Sequence, residues 1–213
     1  MIDSLKFDLR IYVLITNIKP LEIYICDEGM VRFATVNYQK PNENNLDQIY
    51  MHLTNYSLNK KNESYKYPKK SNEIDQEEED DDSAGQGSKR KLTKVFNYMS
   101  KMGLNVNKIK AKIDDLVIKT ILALLPNIKT ESAFESYNNP NKPKFFQILG
   151  FDILIKEDLN PVLLEVNCNP SLTVDYETTV DGILFFFKQI FFIKYSYFCF
   201  FNKRSISITT KSN

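Results

Sequence analysis

Residues 6–16 read KFDLRIYVLIT, and this stretch alternates between apolar and polar positions. The apolar side chains share one face: Phe7, Leu9, Ile11, Val13 and Ile15. The other face carries Lys6, Asp8 and Arg10. Because successive side chains of a β-strand point to opposite faces, the stretch predicts a half-buried strand with a charged outer surface.

Two further stretches alternate in the same way, residues 21–26 (LEIYIC) and residues 30–36 (MVRFATV). The tripeptide Asp27-Glu28-Gly29 lies between them and suits a short hairpin turn. The chain is therefore predicted to open as an antiparallel meander.

The composition excludes several classes of protein. The chain has 213 residues, 43% of them hydrophobic, with 28 Lys and Arg against 27 Asp and Glu. This balance argues against a disordered chain, a collagen-like chain and a uniformly basic nucleic-acid binder. Three widely spaced cysteines make no disulfide framework, so we expect a cytoplasmic protein.

The middle of the chain contains an acidic insert followed by two helices. Residues 59–90 include six consecutive acidic residues and predict a solvated loop. Residues 92–102 suit a short helix. Residues 107–125 predict an amphipathic helix that Asn107 caps and Pro126 ends. Its apolar stripe is Ile109, Ile113, Leu116, Val117, Ile121 and Leu124.

Residues 146–156 and 161–167 are rich in Ile, Leu, Val and Phe and predict two central strands covered on both faces. A loop centred between Asp158 and Leu159 places Asp152 opposite Glu165, with Asn167 on the same face. Opposed carboxylates repel in an apolar sheet, and a compensating Mg²⁺ would use this oxygen donor set. The alternative is that one acid faces solvent or pairs with Lys or Arg.

Basic and polar residues elsewhere suit an anionic ligand. Arg32 on a neighbouring strand joins the charged face of residues 6–10, although such a face is also common on a solvated sheet surface. His52 precedes Leu-Thr-Asn, where three polar side chains can reach a ligand, although a lone histidine is usually structural.

Six motifs in order together resemble those of the tubulin tyrosine ligase-like family. They are KFDLRIYVL, EGMVRFATV, MHLTNYS, GSKRKL, ILGFDILI and LLEVNCNPSL, and they run over about residues 6–175. The GSKRKL segment favours the polyglutamylase branch. The resemblance implies an α+β, ATP-grasp-like fold, an antiparallel sheet with packed helices. It is expected to be incomplete, because the family's N-terminal ATP-binding lobe would precede Lys6. We expect a partial ligase domain over residues 1–175 and a divergent Phe-rich tail over residues 176–213.

The resemblance also implies roles for individual residues. ATP and Mg²⁺ would be the cofactors, with Lys6 and Asp8 at ATP, Thr54 and Asn55 at its phosphates, and Asp152, Glu165 and Asn167 at Mg²⁺. Free glutamate would be held by Arg32, Tyr56 and Lys89. The candidate catalytic residues are Arg10, at the phosphate or acyl-phosphate region, Arg32 and His52.

The implied function is ATP-dependent addition of glutamate to glutamyl side chains of tubulin C-terminal tails through an acyl phosphate. We expect a monomer at cytoplasmic microtubules, in a cilium, flagellum or basal body, with no nucleic-acid or membrane partner. The alternative is a catalytically inactive tubulin- or microtubule-binding module in which the strands and Lys89-Arg90-Lys91 dock acidic tails.

The tail contains an apolar segment, residues 183–201, interrupted by Lys188, Gln189 and Lys194. Eight phenylalanines roughly balance two lysines on membrane-insertion scales, so the segment is marginal as a membrane span. A membrane anchor, a buried or aggregation-prone segment, and a continuation foreign to the family all remain open.

Overall fold

The computed structural model describes residues 1–67, 87–138, 146–172 and 205–208. The strands are β1 (Phe7–Ile18), β2 (Leu21–Phe33), β3 (Lys89–Lys91), β4 (Gln147–Ile155), β5 (Pro161–Asn167) and β6 (Ser205–Ile208). The helices are α1 (Ile49–His52), α2 (Tyr56–Asn59), α3 (Leu92–Lys101) and α4 (Val106–Asn138). The chain is of the α+β class.

One antiparallel sheet organises these elements, in the order β3-β2-β1-β4-β5, and β6 also pairs with β2. The apolar face of β1 belongs to a single core that includes buried residues of α3 and α4, such as Val95, Phe96, Ile113 and Val117. An antiparallel sheet with packed helices is therefore confirmed.

The first strand is more buried than its alternation predicts. Asp8 is only 1% exposed, and Tyr12 and Leu14 on the same face are also buried. The reason is that contacts cover its second face: Arg32 of β2 pairs with Asp8, and the Tyr12 hydroxyl donates to the Ser171 carbonyl oxygen. The prediction of a half-buried strand was wrong.

The predicted meander is also wrong, because Asp27-Glu28-Gly29 lies inside β2 and the hairpin turn falls at Lys19-Pro20. The register of β1 against β2 shifts at Asp27-Glu28-Gly29, because Ile11 pairs with Gly29 whereas Val13 pairs with Ile25. A Cβ atom on Gly29 would come within 2.5 Å of the Arg10 carbonyl oxygen. The glycine therefore permits close approach within an irregular strand pair rather than forming a turn.

Both predicted helices are present, but α4 has different ends. The Asn105 side chain accepts a hydrogen bond from the Lys108 amide at 3.0 Å, so Asn105, and not Asn107, acts near the start. The helix continues through Pro126 to Asn138 although an interior proline disfavours a helix, and Leu125 and Ile128 on either side of the proline pack against the core. At the end of the stripe Leu125 is buried, whereas Leu124 is 38% exposed.

The pairing of Asp152 with Glu165 is confirmed, but it arises differently from the prediction. Near the turn, Ile153 pairs with Leu163, and a register shift between Asp152 and Ile153 then restores the predicted partner. β4 is buried, as predicted. β5 is an edge strand of the described sheet with Leu164 52% exposed, so its assignment as a central strand was wrong.

Part of the predicted acidic loop is structured, since Asn59 and Tyr65 are buried and residues 89–90 belong to β3. Residues 68–86, with the acidic run, and the Phe-rich segment lie outside the described residues. Within the described ranges, no helix is long and apolar enough to cross a membrane.

Candidate active site

Four buried or nearly buried charges form the centre of the site. They lie on the polar face of β1, opposite the apolar face that packs in the core with α3 and α4. Asp8 lies opposite Arg32 of β2, and Arg10 lies opposite Asp152 of β4. Each of these two pairs forms an ion pair. The Arg10 Nη2 also donates to Asp152 Oδ2 at 3.0 Å, and the Arg32 Nη2 lies 2.8 Å from the same oxygen. The strand register alone therefore brings two arginines and two aspartates into one neutral network.

The network shifts the ionisation of its members. Burial by itself would lower the pKa of Arg32, but hydrogen bonding and charge from Asp8, followed by Asp152, outweigh it and raise that pKa. Burial likewise opposes the ionised form of Asp152, but the hydrogen bond from Arg10 and the charge of Arg32 hold its pKa below the usual value. Both groups are charged at neutral pH.

The expected metal ligands Asp152, Glu165 and Asn167 converge beside this network. The Asn167 amide nitrogen lies 3.1 Å from Glu165 Oε1 and 3.4 Å from Asp152 Oδ2. Turning the Asn167 amide over presents its oxygen instead, which yields two carboxylates and one carbonyl oxygen on one face.

This donor set fits Mg²⁺, which takes few protein oxygens and completes its shell with water or phosphate oxygens. Among the described residues, no group of three or more His, Cys, Asp or Glu side chains has metal-binding spacing. An amide ligand such as Asn167 is thus required for a three-residue site. The alternative reading also has support here, since Asp152 pairs with arginines and Glu165 is exposed.

The three residues expected to hold glutamate also lie together. Lys89 of β3 is opposite Arg32 in the sheet register, and its ammonium lies 4.0 Å from the centre of the Tyr56 ring. Burial, followed by the charges of Arg32 and Arg10, lowers the pKa of Lys89. Two cations and an aromatic face therefore lie side by side, an arrangement suited to a carboxylate.

Of the four expected nucleotide contacts, Thr54 and Asn55 lie after β2, whereas Lys6 directly precedes β1 and Asp8 lies within it. The Lys6 ammonium donates to the His52 carbonyl oxygen at 2.6 Å, which ties the start of β1 to the segment after β2. Thr54 is buried and Asn55 is exposed at the start of α2. The His52 ring lies 2.8 Å from the Asn45 carbonyl oxygen and edge-on to Tyr38, the contacts of a structural histidine.

Sequence reasoning missed several residues that shape the site. Tyr12 follows Arg10 on the same strand face, and its hydroxyl donates to the Ser171 carbonyl oxygen at 2.7 Å. A Cβ atom on Gly150 would lie 2.7 Å from Pro170 Cβ and 3.2 Å from Arg10 Cδ, so the glycine makes room for both. The alternation of β1 already contained the signal for Tyr12, whereas nothing local marks Gly150.

The fold and the site define an α+β domain in which an antiparallel sheet carries a paired arginine–aspartate network beside an oxygen donor set. The sequence profile of the tubulin-tyrosine ligase family matches residues 1–199. The chain therefore belongs to that family.

Similar proteins include several named tubulin polyglutamylases. The chain is 43% identical over 177 residues to tubulin polyglutamylase TTLL11 of Mus musculus, an overlap of 83% of this chain and 23% of that protein. It is 44% identical over 176 residues to tubulin polyglutamylase ttll-11 of Caenorhabditis elegans, with the same coverage, 83% and 23%. Tubulin polyglutamylase TTLL6 of Mus musculus is 42% identical over 177 residues, or 82% of this chain and 20% of that protein. The chain thus spans less than a quarter of the length of these relatives.

Proposed function

We propose that the chain forms part of the ATP-grasp catalytic domain of a ligase that adds glutamate to glutamyl side chains of tubulin C-terminal tails. The observation that carries the proposal is the juxtaposition of Asp152, Glu165 and Asn167 with two arginines. Relatives that are named tubulin polyglutamylases support the choice of substrate.

In this proposal Asp152, Glu165 and Asn167 hold Mg²⁺, and Lys6, Asp8, Thr54 and Asn55 contact ATP. When bound, the metal neutralises charge that develops during phosphoryl transfer. Arg10 and Arg32 supply fixed positive charge on the same side of the sheet. Their ion pairs with Asp8 and Asp152 orient both guanidinium groups before any ligand arrives.

The proposed reaction needs no protein nucleophile. The acceptor glutamyl carboxylate takes the γ-phosphoryl group and becomes an acyl phosphate. The amine of free glutamate then attacks its carbonyl carbon and phosphate leaves, so that a new amide bond forms. Arg32, Tyr56 and Lys89 orient the incoming glutamate through its carboxylates, and positioning supplies much of the acceleration.

The proposed site of action follows from the substrate. We place the protein on cytoplasmic microtubules, in a cilium, flagellum or basal body, acting as a monomer without a nucleic-acid or membrane partner. We propose that residues 1–175 form the part of the ligase domain that contributes to this reaction.

The test is incorporation of labelled glutamate into tubulin by the full-length protein that carries this chain. Glu165→Gln keeps the shape of the side chain and removes its charge, so it is expected to abolish incorporation. The matched control is Glu157→Gln, an exposed residue of the β4–β5 turn, which is expected to retain wild-type incorporation. Full activity of Glu165→Gln would refute the metal role.

One observation favours the second candidate, a tubulin-binding module without catalysis. In the network the charges of Asp8 and Asp152 are already balanced by Arg10 and Arg32. The docking surface of this module was predicted to include Lys89, Arg90 and Lys91. Arg90 is engaged within the chain instead, because it pairs with Asp3 at 2.8 Å and lies 4.0 Å from the centre of the Phe33 ring.

Calorimetry with Mg-ATP and microtubule co-sedimentation separate the two candidates. Heat of binding that Glu165→Gln removes supports the ligase. Co-sedimentation without any heat of nucleotide binding supports the module.

A further inference from the structure

Asn59 is an almost fully buried polar residue to which neither the motifs nor the proposed reaction assigns a role. It ends the four-residue helix α2 and is 1% exposed. A buried amide is unfavourable unless its donors and acceptor find partners. The partners of Asn59 therefore show what its position serves.

The Asn59 side chain joins two separate parts of the backbone. Its nitrogen donates to the carbonyl oxygens of Leu53 and Asn55 at 2.8 and 3.1 Å. Its oxygen accepts a hydrogen bond from Thr35 Oγ1 at 2.9 Å, and Thr35 Oγ1 accepts one from the side-chain nitrogen Nδ2 of Asn62 at 3.0 Å. The amide thereby fastens the loop between α1 and α2 to the segment that follows β2.

The Asn59 side chain adds to other contacts of this loop: the Asn55 carbonyl oxygen also accepts hydrogen bonds from the backbone amides of Leu58 and Asn59, and the Lys6 ammonium bonds the His52 carbonyl oxygen. Both flanking helices have only four residues, too few to be stable by backbone hydrogen bonding alone. The two carbonyl groups that Asn59 binds flank Thr54, the buried residue at the centre of the loop. The Asn59 side chain thus bonds the backbone on both sides of Thr54.

We propose that Asn59 is a positioning residue that holds Thr54 and Asn55 in place for the phosphates of the nucleotide. The inference rests on the proposed function for the identity of the ligand. Asn59 itself acts through the loop and does not touch the substrate.

The chemistry of the side chain distinguishes this role from simple packing. Aspartate has nearly the same shape as asparagine, but its carboxylate only accepts hydrogen bonds and would face two carbonyl oxygens. Asn59→Asp therefore releases the loop while it retains the bond from Thr35. Thr35→Val does the reverse, since it breaks the network at Thr35 and leaves both bonds from Asn59 to the loop.

The experiment compares these two variants with the wild type in the full-length protein that carries this chain. Mg-ATP affinity is measured by calorimetry, and amide hydrogen exchange is followed over residues 53–59. Asn59→Asp is expected to weaken Mg-ATP binding about tenfold and to speed exchange in the loop, because a small misplacement of binding groups has a large effect. Thr35→Val is expected to lose thermal stability but to stay within about twofold of wild-type affinity, since ligand contacts are left in place.

Wild-type affinity and exchange in a folded Asn59→Asp variant would overturn the inference. Equal losses of affinity in both variants would also overturn it, because they would indicate general destabilisation. If Asn59→Asp does not fold, Asn59→Ser, which retains one donor, is expected to show a smaller shift in the same direction, and unchanged affinity would refute the role.

Failure of the proposed function has a different signature. A wild-type protein that binds no Mg-ATP would contradict the ligase. In that case faster exchange confined to residues 53–59 in Asn59→Asp still supports Asn59 as the residue that fixes the loop, and unchanged exchange refutes it.

Discussion

Removing the charge of Asp152 tests whether the arginine network is as tightly coupled as its geometry indicates. Asp152→Asn leaves Arg10 and Arg32, whose side chains are only 11% and 12% exposed, with one aspartate between them. Breaking a buried ion pair by removing one partner destabilises a protein by about 3–5 kcal/mol. Since the retained amide still accepts a hydrogen bond, we expect a loss of about 3 kcal/mol in the free energy of unfolding. For a chain of this size that loss corresponds to a fall in Tm of about 6–12 °C.

Urea unfolding followed by circular dichroism measures this loss. The matched control is Asp115→Asn, because Asp115 forms an exposed helical pair with Lys119 at 2.6 Å. Such a pair contributes about 0.3–0.5 kcal/mol. A loss of under about 1 kcal/mol for Asp152→Asn would refute the coupling, since it would match an exposed pair.

The same variant has a defined pH dependence. The pKa of Asp152 is lower in the folded protein than in the unfolded chain, so ionised Asp152 stabilises the fold above the ordinary carboxyl pKa of about 4. That contribution disappears as the pH falls below this value and Asp152 takes up a proton. The difference in stability between wild type and Asp152→Asn is therefore expected to shrink between about pH 5 and pH 2. A difference that is constant over this range would contradict the lowered pKa.

Three further results are expected. The lowered pKa of Lys89 means that this side chain loses its charge, as the pH increases, before the ordinary lysine pKa of about 10.4 is reached. The KM for glutamate of the wild type should therefore increase with pH already below that value. Lys89→Arg should flatten this increase, and identical pH profiles of the two proteins would contradict a substrate role. Gly150→Ala forces a Cβ atom to 2.7 Å from Pro170 Cβ and should destabilise the fold by about 1–3 kcal/mol in urea unfolding, where an unchanged midpoint would show that Pro170 moves without penalty. Tyr12→Phe deletes the hydrogen bond to Ser171 and should lower the free energy of unfolding by about 1 kcal/mol; a wild-type value would mean that the bond contributes nothing.

The sequence predicts secondary structure correctly where side-chain periodicity determines it, and it predicts strand pairing correctly where two strands are joined by a short turn. The alternation of residues 6–16 and the stripe of Ile109, Ile113, Val117 and Ile121 correctly identify a strand and the buried face of a helix. Both patterns are local, because each repeats within a few residues. The pairing of Asp152 with Glu165 also follows from a short hairpin.

The errors have long-range causes. Gly29 looks like a turn residue, but β2 continues through it because β1 packs against its bare Cα. β5 is apolar like a central strand, yet it lies at the edge of the described sheet, where Leu164 stays exposed. Pro126 looks like a helix end, yet α4 continues past it.

The residues of the site also fall into those that local periodicity predicts and those that only the folded structure brings together. Asp8, Arg10 and Arg32 could be grouped from strand periodicity, and the structure pairs them as cross-strand neighbours. Asn59 could not be found, because its partners at Thr35 and Leu53 become neighbours only after the chain has folded back on itself.

The most direct test of the proposed metal site is Mn²⁺ binding, measured by electron paramagnetic resonance in the presence of ATP. Mn²⁺ accepts the same oxygen donors as Mg²⁺ and reports its own binding. The wild-type protein is expected to bind Mn²⁺ with ATP, and Glu165→Gln is expected to lose this binding while Glu157→Gln retains it. Equal Mn²⁺ binding by the wild type and Glu165→Gln would contradict the assignment of Asp152, Glu165 and Asn167 as the metal ligands.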